Sequence, residues 1–322
     1  MNWRTPFSIS RRRLPGGFAT ALLAVMVCVI PAKGQNFSPW SEAVRVGPPI
    51  SSPTGDACPF IAKNDLDLYF RSNRPGGYGG WDIYVSHRDS VDDPWEEPIN
   101  LGPEINTAYT ELCSFVTIDG HWLYFVSNRP GTCGGQDLWV SHRQDKRNDV
   151  GWETPKNLGC IVNSTASEVG PVIFEDDATG KALLYFTSNR PGGLGGNDTY
   201  VSQMVSEDHA TFGPPSPVVE WNTAYSDFHA FVRRKDGLEA ILVSNRPGGF
   251  GYQDLWVSTR PTTLAPWSVP VNLGPLVNCV DCWSGRPSIS WDGTTLYFWT
   301  TPPRPGAEGY DIYRATRTKL PD

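Results

Sequence analysis

The apolar residues of this chain fall in short runs, each broken by Gly, Pro, Asn or Asp. One run, Leu68-Tyr69-Phe70, suits a pleated, half-buried surface. The segment Ser72-Asn73-Arg74-Pro75-Gly76-Gly77 then ends the strand, because proline removes a ladder donor and the glycines permit positive φ. A second run, Asp82-Ile83-Tyr84-Val85-Ser86, follows. The same succession returns at 123–141, 184–202 and 241–258, and in eroded form at 296–315. A further strand-like stretch, such as Cys113–Ile118, precedes the Leu-Tyr-Phe run. Three of these end in Asp-Gly turns (Asp119-Gly120, Asp236-Gly237, Asp292-Gly293), a hairpin signal. Behind the second run comes an aromatic residue with Pro close after it, at Trp95, Trp152, Phe212 and Trp267. Each unit therefore predicts four antiparallel strands.

The Asp that opens the third strand falls at Asp82, Asp137, Asp198, Asp254 and Asp311, with spacings of 55, 61, 56 and 57. Four-stranded units at such a period are propeller blades. The fifth unit stops after its third strand, at Arg317, and the missing strand sits at the other end of the chain. There Pro39-Trp40 to Gly47 matches Pro94-Trp95 to Gly102. The fold class predicted is all-β, a single five-bladed β-propeller over 35–322 closed by its N-terminal strand, with residues 39–46 paired to 311–316. Closure of this kind removes an open sheet edge.

The Ser-Asn-Arg-Pro-Gly-Gly loop followed by Asp-Ile/Leu-Tyr/Trp-Val-Ser resembles the TolB-like (WD-repeat-like) propeller repeat of bacterial envelope proteins, over residues 37–317. The resemblance implies a binding or scaffolding module. The chain has fewer blades than TolB itself, so TolB's own partners are not carried over. The last blade also departs from the motif, with Thr300-Thr301-Pro302-Pro303-Arg304.

Residues 1–34 read as a secretory signal peptide: Arg11, Arg12 and Arg13 precede an apolar run from Phe18 to Ile30, and Ala32-Lys33-Gly34 offers a cleavage site. A lipid anchor on Cys28 is the rival reading, and Arg11-Arg12 also admits twin-arginine export. The expected location is periplasmic or secreted, with no membrane span in the mature chain. Removing residues 1–34 takes away five basic and no acidic residues, so the formal charge of −7 becomes −12. An acidic domain without Lys/Arg runs argues against nucleic acid. Six cysteines remain, which an oxidising compartment permits to pair in any of several ways. Cys279-x-x-Cys282 lacks a second cysteine pair, so a local disulfide or free thiols is expected rather than a metal or redox site. No cofactor or metal is expected.

Alternate strands run up and down each blade, which places the glycine-rich loops and the starts of the inner strands at one end of the central channel. Asp56, Glu111, Glu168 and Asp227 fall at one equivalent inner-strand position, with Ser284 in the fifth blade. One reading pairs each carboxylate with a repeat arginine of the same face, namely Arg74, Arg129, Arg190, Arg246 or Arg304. The other makes them the acid and base of glycoside hydrolysis. A position filled in nearly every blade favours the first.

Positions that break the repeat are better candidates for function. Tyr78, Trp81, Phe250 and Trp283 bring aromatic rings to the loop face. His229, by strand alternation, should point as Asp227 does, and Arg286 has no counterpart in other blades. Together with Glu111, Glu168 and Asp227 these form the predicted ligand face, suited to a glycan, peptide or envelope protein. His87 and His142 sit at strand ends away from it and are expected to be inert. No nucleophile motif is present. The expectation is a monomeric, non-catalytic binding propeller, with a secreted glycoside hydrolase as the alternative on grounds of fold analogy.

Overall fold

A computed structural model describes residues 36–321 apart from 303, 305 and 308. The signal-peptide reading of residues 1–34 lies outside the described residues. Five four-stranded antiparallel sheets form the ring. Their inner strands are Asp56–Ile61, Glu111–Val116, Glu168–Asp176, Asp227–Val232 and Ser284–Ile289. The fifth blade takes its outer strand, Val44–Arg45, from the N-terminal end, with Val44 opposite Arg314 and Arg45 opposite Tyr313.

Repeat residues hold each blade by contacts that the sequence spacing already implies. The strand-three Asp gathers the amides of its glycine loop: Asp82 accepts from Tyr78 and Gly79, and Asp254 from Phe250 and Gly251. That fixes the loop backbone and leaves the side chains of Tyr78 and Phe250 outside. Glycine is required at 79 because a Cβ there would strike the carbonyls of Thr107 and Tyr109 in the next blade. On the outer rim, Arg88, Arg143, Arg260 and Arg317 lie 4.1–4.4 Å over Trp95, Trp152, Trp267 and Trp40.

Every inner strand carries a bulge two residues past its start, and there the backbone turns left-handed. The residues are Cys58 (φ 54°), Cys113 (48°), Gly170 (66°), His229 (32°) and Arg286 (47°). A bulge re-aims side chains that simple alternation would place on the other face. These five positions therefore meet at the axis. Cys58 and Cys113 form a disulfide, one of three, the others being Cys133–Cys160 and Cys279–Cys282. Arg286 spans the ring from blade 5 and donates to the carbonyls of Cys113, Ser114 and Pro171. Below them Phe60 packs on Phe115 at 4.7 Å. The centre of the propeller is filled.

Candidate functional site

The four inner-strand carboxylates are buried and each meets its arginine: Asp56–Arg74 at 3.0 Å, Glu111–Arg129 at 3.2 Å, Glu168–Arg190 at 3.1 Å and Asp227–Arg246 at 2.5 Å. Local donors take up further lone pairs. Glu168 also accepts from Ser164 N, Ser164 Oγ and Ser188 Oγ. Ser284 instead bonds Thr300, and Arg304 turns to Cys279 Sγ and the Val277 carbonyl. Glu111 and Glu168 are 0% exposed and Asp227 is 2% exposed, so none offers a surface to a ligand. Their place in a predicted ligand face is corrected: they brace the loop between blades.

The other predicted residues divide. Tyr78, Phe250 and Trp283 are exposed on the loop face, and Trp283 lies 5.8 Å from Tyr252. Trp81 is half-buried there. His229 does not follow Asp227, because the bulge between them turns it to the axis, where Gly170 makes room for its ring. Its Nε2 is buried without a partner, and burial, with Arg286 and Arg71 next, holds its pKa well below the usual histidine value. Arg286 is 1% exposed and serves as the plug already described, which removes it from the ligand face. Burial pushes its pKa down to about 9.

Two residues absent from that reading, Arg71 and Trp299, complete the mouth of the channel with Tyr310, which stands in blade 5 at the repeat position of Trp81. Arg71 lies with its guanidinium carbon 4.3 Å from the centre of the Trp81 ring and 5.8 Å from that of Tyr310. Tyr310 in turn stands edge-on to Trp81 at 5.9 Å and to Trp299 at 5.2 Å. Backbone register explains why rings from different blades meet. The carbonyls of Tyr310 and Trp81 accept from Asp56 N and Glu111 N, the inner-strand starts of the next blades. The sequence did carry a signal. At the register of Arg71 the other blades hold Val126, Thr187, Val243 and Trp299.

A cleft of about 750 Å3 opens elsewhere, among the strand-one turns of blades 1 and 2. His87 lines it, and its expected inertness is corrected. Its Nδ1 meets Asp67 and its Nε2 meets Asp149 of the next blade, both at 2.8 Å. Those bonds, to Asp149 and then Asp67, push its pKa up to about 10. The folded state thus keeps a proton that the unfolded chain releases above about 6.5. The stabilisation is full below that pH and fades as pH rises through about 10. His87→Ala should therefore lower the melting temperature by more at pH 6 than at pH 10. An equal deficit at both would show that the charge is not what His87 contributes.

No protein-family model and no curated protein matches the chain. Solved structures match in fold. An α-L-arabinofuranosidase from Lactobacillus brevis aligns over 87% of this chain and 95% of its own, at 14% identity and a TM-score of 0.56. An α-L-arabinofuranosidase from Podospora anserina, in complex with cellotriose, covers 88% and 98% at 12% identity, with a TM-score of 0.55. An endo-arabinase from Bacteroides thetaiotaomicron covers 89% and 99% at 15% identity, with a TM-score of 0.53. At such identities the likeness is one of fold.

These findings overturn the TolB-like resemblance, since the solved propellers that the chain matches in fold include arabinofuranosidases and an arabinase, and no family model supports the TolB-like repeat. The motif behind it reports loop geometry: Ser72 Oγ accepts from Arg74 N and Nε, and Asp82 caps the glycine turn. Any blade with this turn has use for those contacts. The envelope binding and scaffolding role drawn from the resemblance is corrected with it.

Proposed function

We propose that the protein is an exported, glycan-active enzyme of the glycoside-hydrolase class, taking its substrate at the loop-face mouth of the propeller. The observation that carries this is the convergence of Arg71, Trp81, Trp299 and Tyr310 on the axis, between inner-strand ends. Aromatic rings grouped with a few convergent polar groups suit a small ligand. Exposed Tyr78, Phe250, Tyr252 and Trp283 extend an aromatic surface over the same face. The fold shared with hydrolases solved in complex with cellotriose and xylotriose supports a glycan substrate. Three disulfides support an oxidising compartment.

In this reading the four arginine-paired carboxylates hold the mouth in shape and do not deliver the proton. Purified protein incubated with arabinan, xylan and uronate-containing polysaccharides should release new reducing ends. Trp81→Ala should lower kcat/KM about tenfold or more, as loss of a stacking anchor does. Leu264→Ala, a change on a well-exposed loop between the third and fourth strands, should leave it unchanged. Binding of a polysaccharide with no bond cleavage across the panel would sink the enzymatic reading.

A further inference from the structure

Arg71 stands apart from the other arginines of this face. Arg74, Arg129, Arg190 and Arg246 each hold a carboxylate, and Arg286 holds three carbonyls. Arg71 has neither kind of partner among the described residues, and its Nε is buried without an acceptor. Burial pushes its pKa down to about 10, which still leaves it a cation at neutral pH. Arg286 and Arg71 both act on nearby His229, and neither has a carboxylate partner among the described residues. The residue is only partly buried, with its guanidinium over the Trp81 ring and Tyr310, which stands edge-on to Trp81, on one side of it. Contact with a ring uses a flat side of a guanidinium and not its N–H donors.

We propose that Arg71, flanked by Trp81 and Tyr310, is a subsite for a carboxylate-bearing sugar, a uronate unit of a glycan. The inference rests on the glycan reading above and names its substrate class. An arginine fork matches a carboxylate in a bidentate pair, and the flanking rings present apolar faces to a sugar. A neutral sugar would leave the guanidinium without a charged partner. Sites built around such a group reject ligands that cannot satisfy it.

The test is calorimetric titration of the full chain with an oligogalacturonide and with a neutral oligogalactoside of equal length. The uronate should bind at least about tenfold more tightly, the effect of one charge-assisted hydrogen bond. Its affinity should fall with added salt while that of the neutral sugar does not. Arg71→Met should abolish the preference, and Arg71→Lys, which keeps the charge but not the fork, should restore part of it. Free galacturonate and acetate, titrated separately, distinguish a sugar-borne carboxylate from any small anion. Equal binding of the charged and neutral oligosaccharides would overturn the subsite and leave the glycan reading standing. Acetate binding as tightly as galacturonate would overturn the sugar part of the proposal. Failure of both oligosaccharides to bind would overturn the subsite and the glycan reading together.

Discussion

A chain lacking residues 36–47 is expected to melt far below the full protein and to self-associate. This segment completes the fifth blade through Val44 and Arg45, and its backbone also bonds Ile312, Thr316 and Thr318 from Val46, Ser41 and Ser38. Trp40 is buried against the Arg317 guanidinium at 4.2 Å, and Arg45 pairs with Asp311 at 2.6 Å. Loss of the tryptophan alone is worth about 3–5 kcal/mol, against a total of about 5–15 kcal/mol. The third strand of the blade, Asp311–Thr316, would become an unpaired edge, a template for association. Thermal melting and size-exclusion chromatography check both consequences. A truncated protein that melts with the full one and stays monomeric would mean that the ring does not depend on this strand.

Glu168→Gln is expected to destabilise the fold by about 2–4 kcal/mol, because removing one member of a buried pair leaves the other uncompensated. The amide has the shape of the carboxylate but brings a donor where only donors now point, from Ser164, Ser188 and Arg190. Arg190 would keep only the Val162 carbonyl and Ser188 Oγ. A fall of several degrees in the melting temperature, with kcat/KM of the remaining folded protein nearly unchanged, is the expected outcome. An intact melting temperature with abolished turnover would instead make Glu168 a catalytic group.

The blades themselves were open to sequence reading because what defines them is local. Asp82 caps a loop a few residues before it, and Arg74 meets Asp56 from the adjacent strand of the same hairpin. Arg88 reaches Trp95 one turn later. Such contacts recur with the repeat, so each copy supports the others. The carboxylate–arginine pairing was legible for the same reason. So was the closing strand, since one outer strand was missing from one end and surplus at the other.

The site was far less legible. Strand alternation predicts His229 on the side of Asp227, and a bulge that leaves no mark in composition reverses it. His87 reads as an exposed strand end until Asp149, which lies 62 residues away in the next blade, closes on it. Arg286 reads as a free cation until the ring brings the carbonyls of Cys113 and Pro171 to it across the axis.

By itself the sequence determined the repeat, the four strands of each blade and the glycine loops, which follow from bonds between near neighbours in the chain, and the closed ring, which follows from an outer strand missing at one end and surplus at the other. Only the tertiary structure decided that the channel is filled, that the ring carboxylates are closed to ligands, and that Arg71 lies over Trp81 beside Tyr310 with neither a carboxylate nor a carbonyl partner among the described residues. Those outcomes depend on side chains from different blades meeting at one axis. Ring closure fixes that distance, and no local pattern along the chain encodes it.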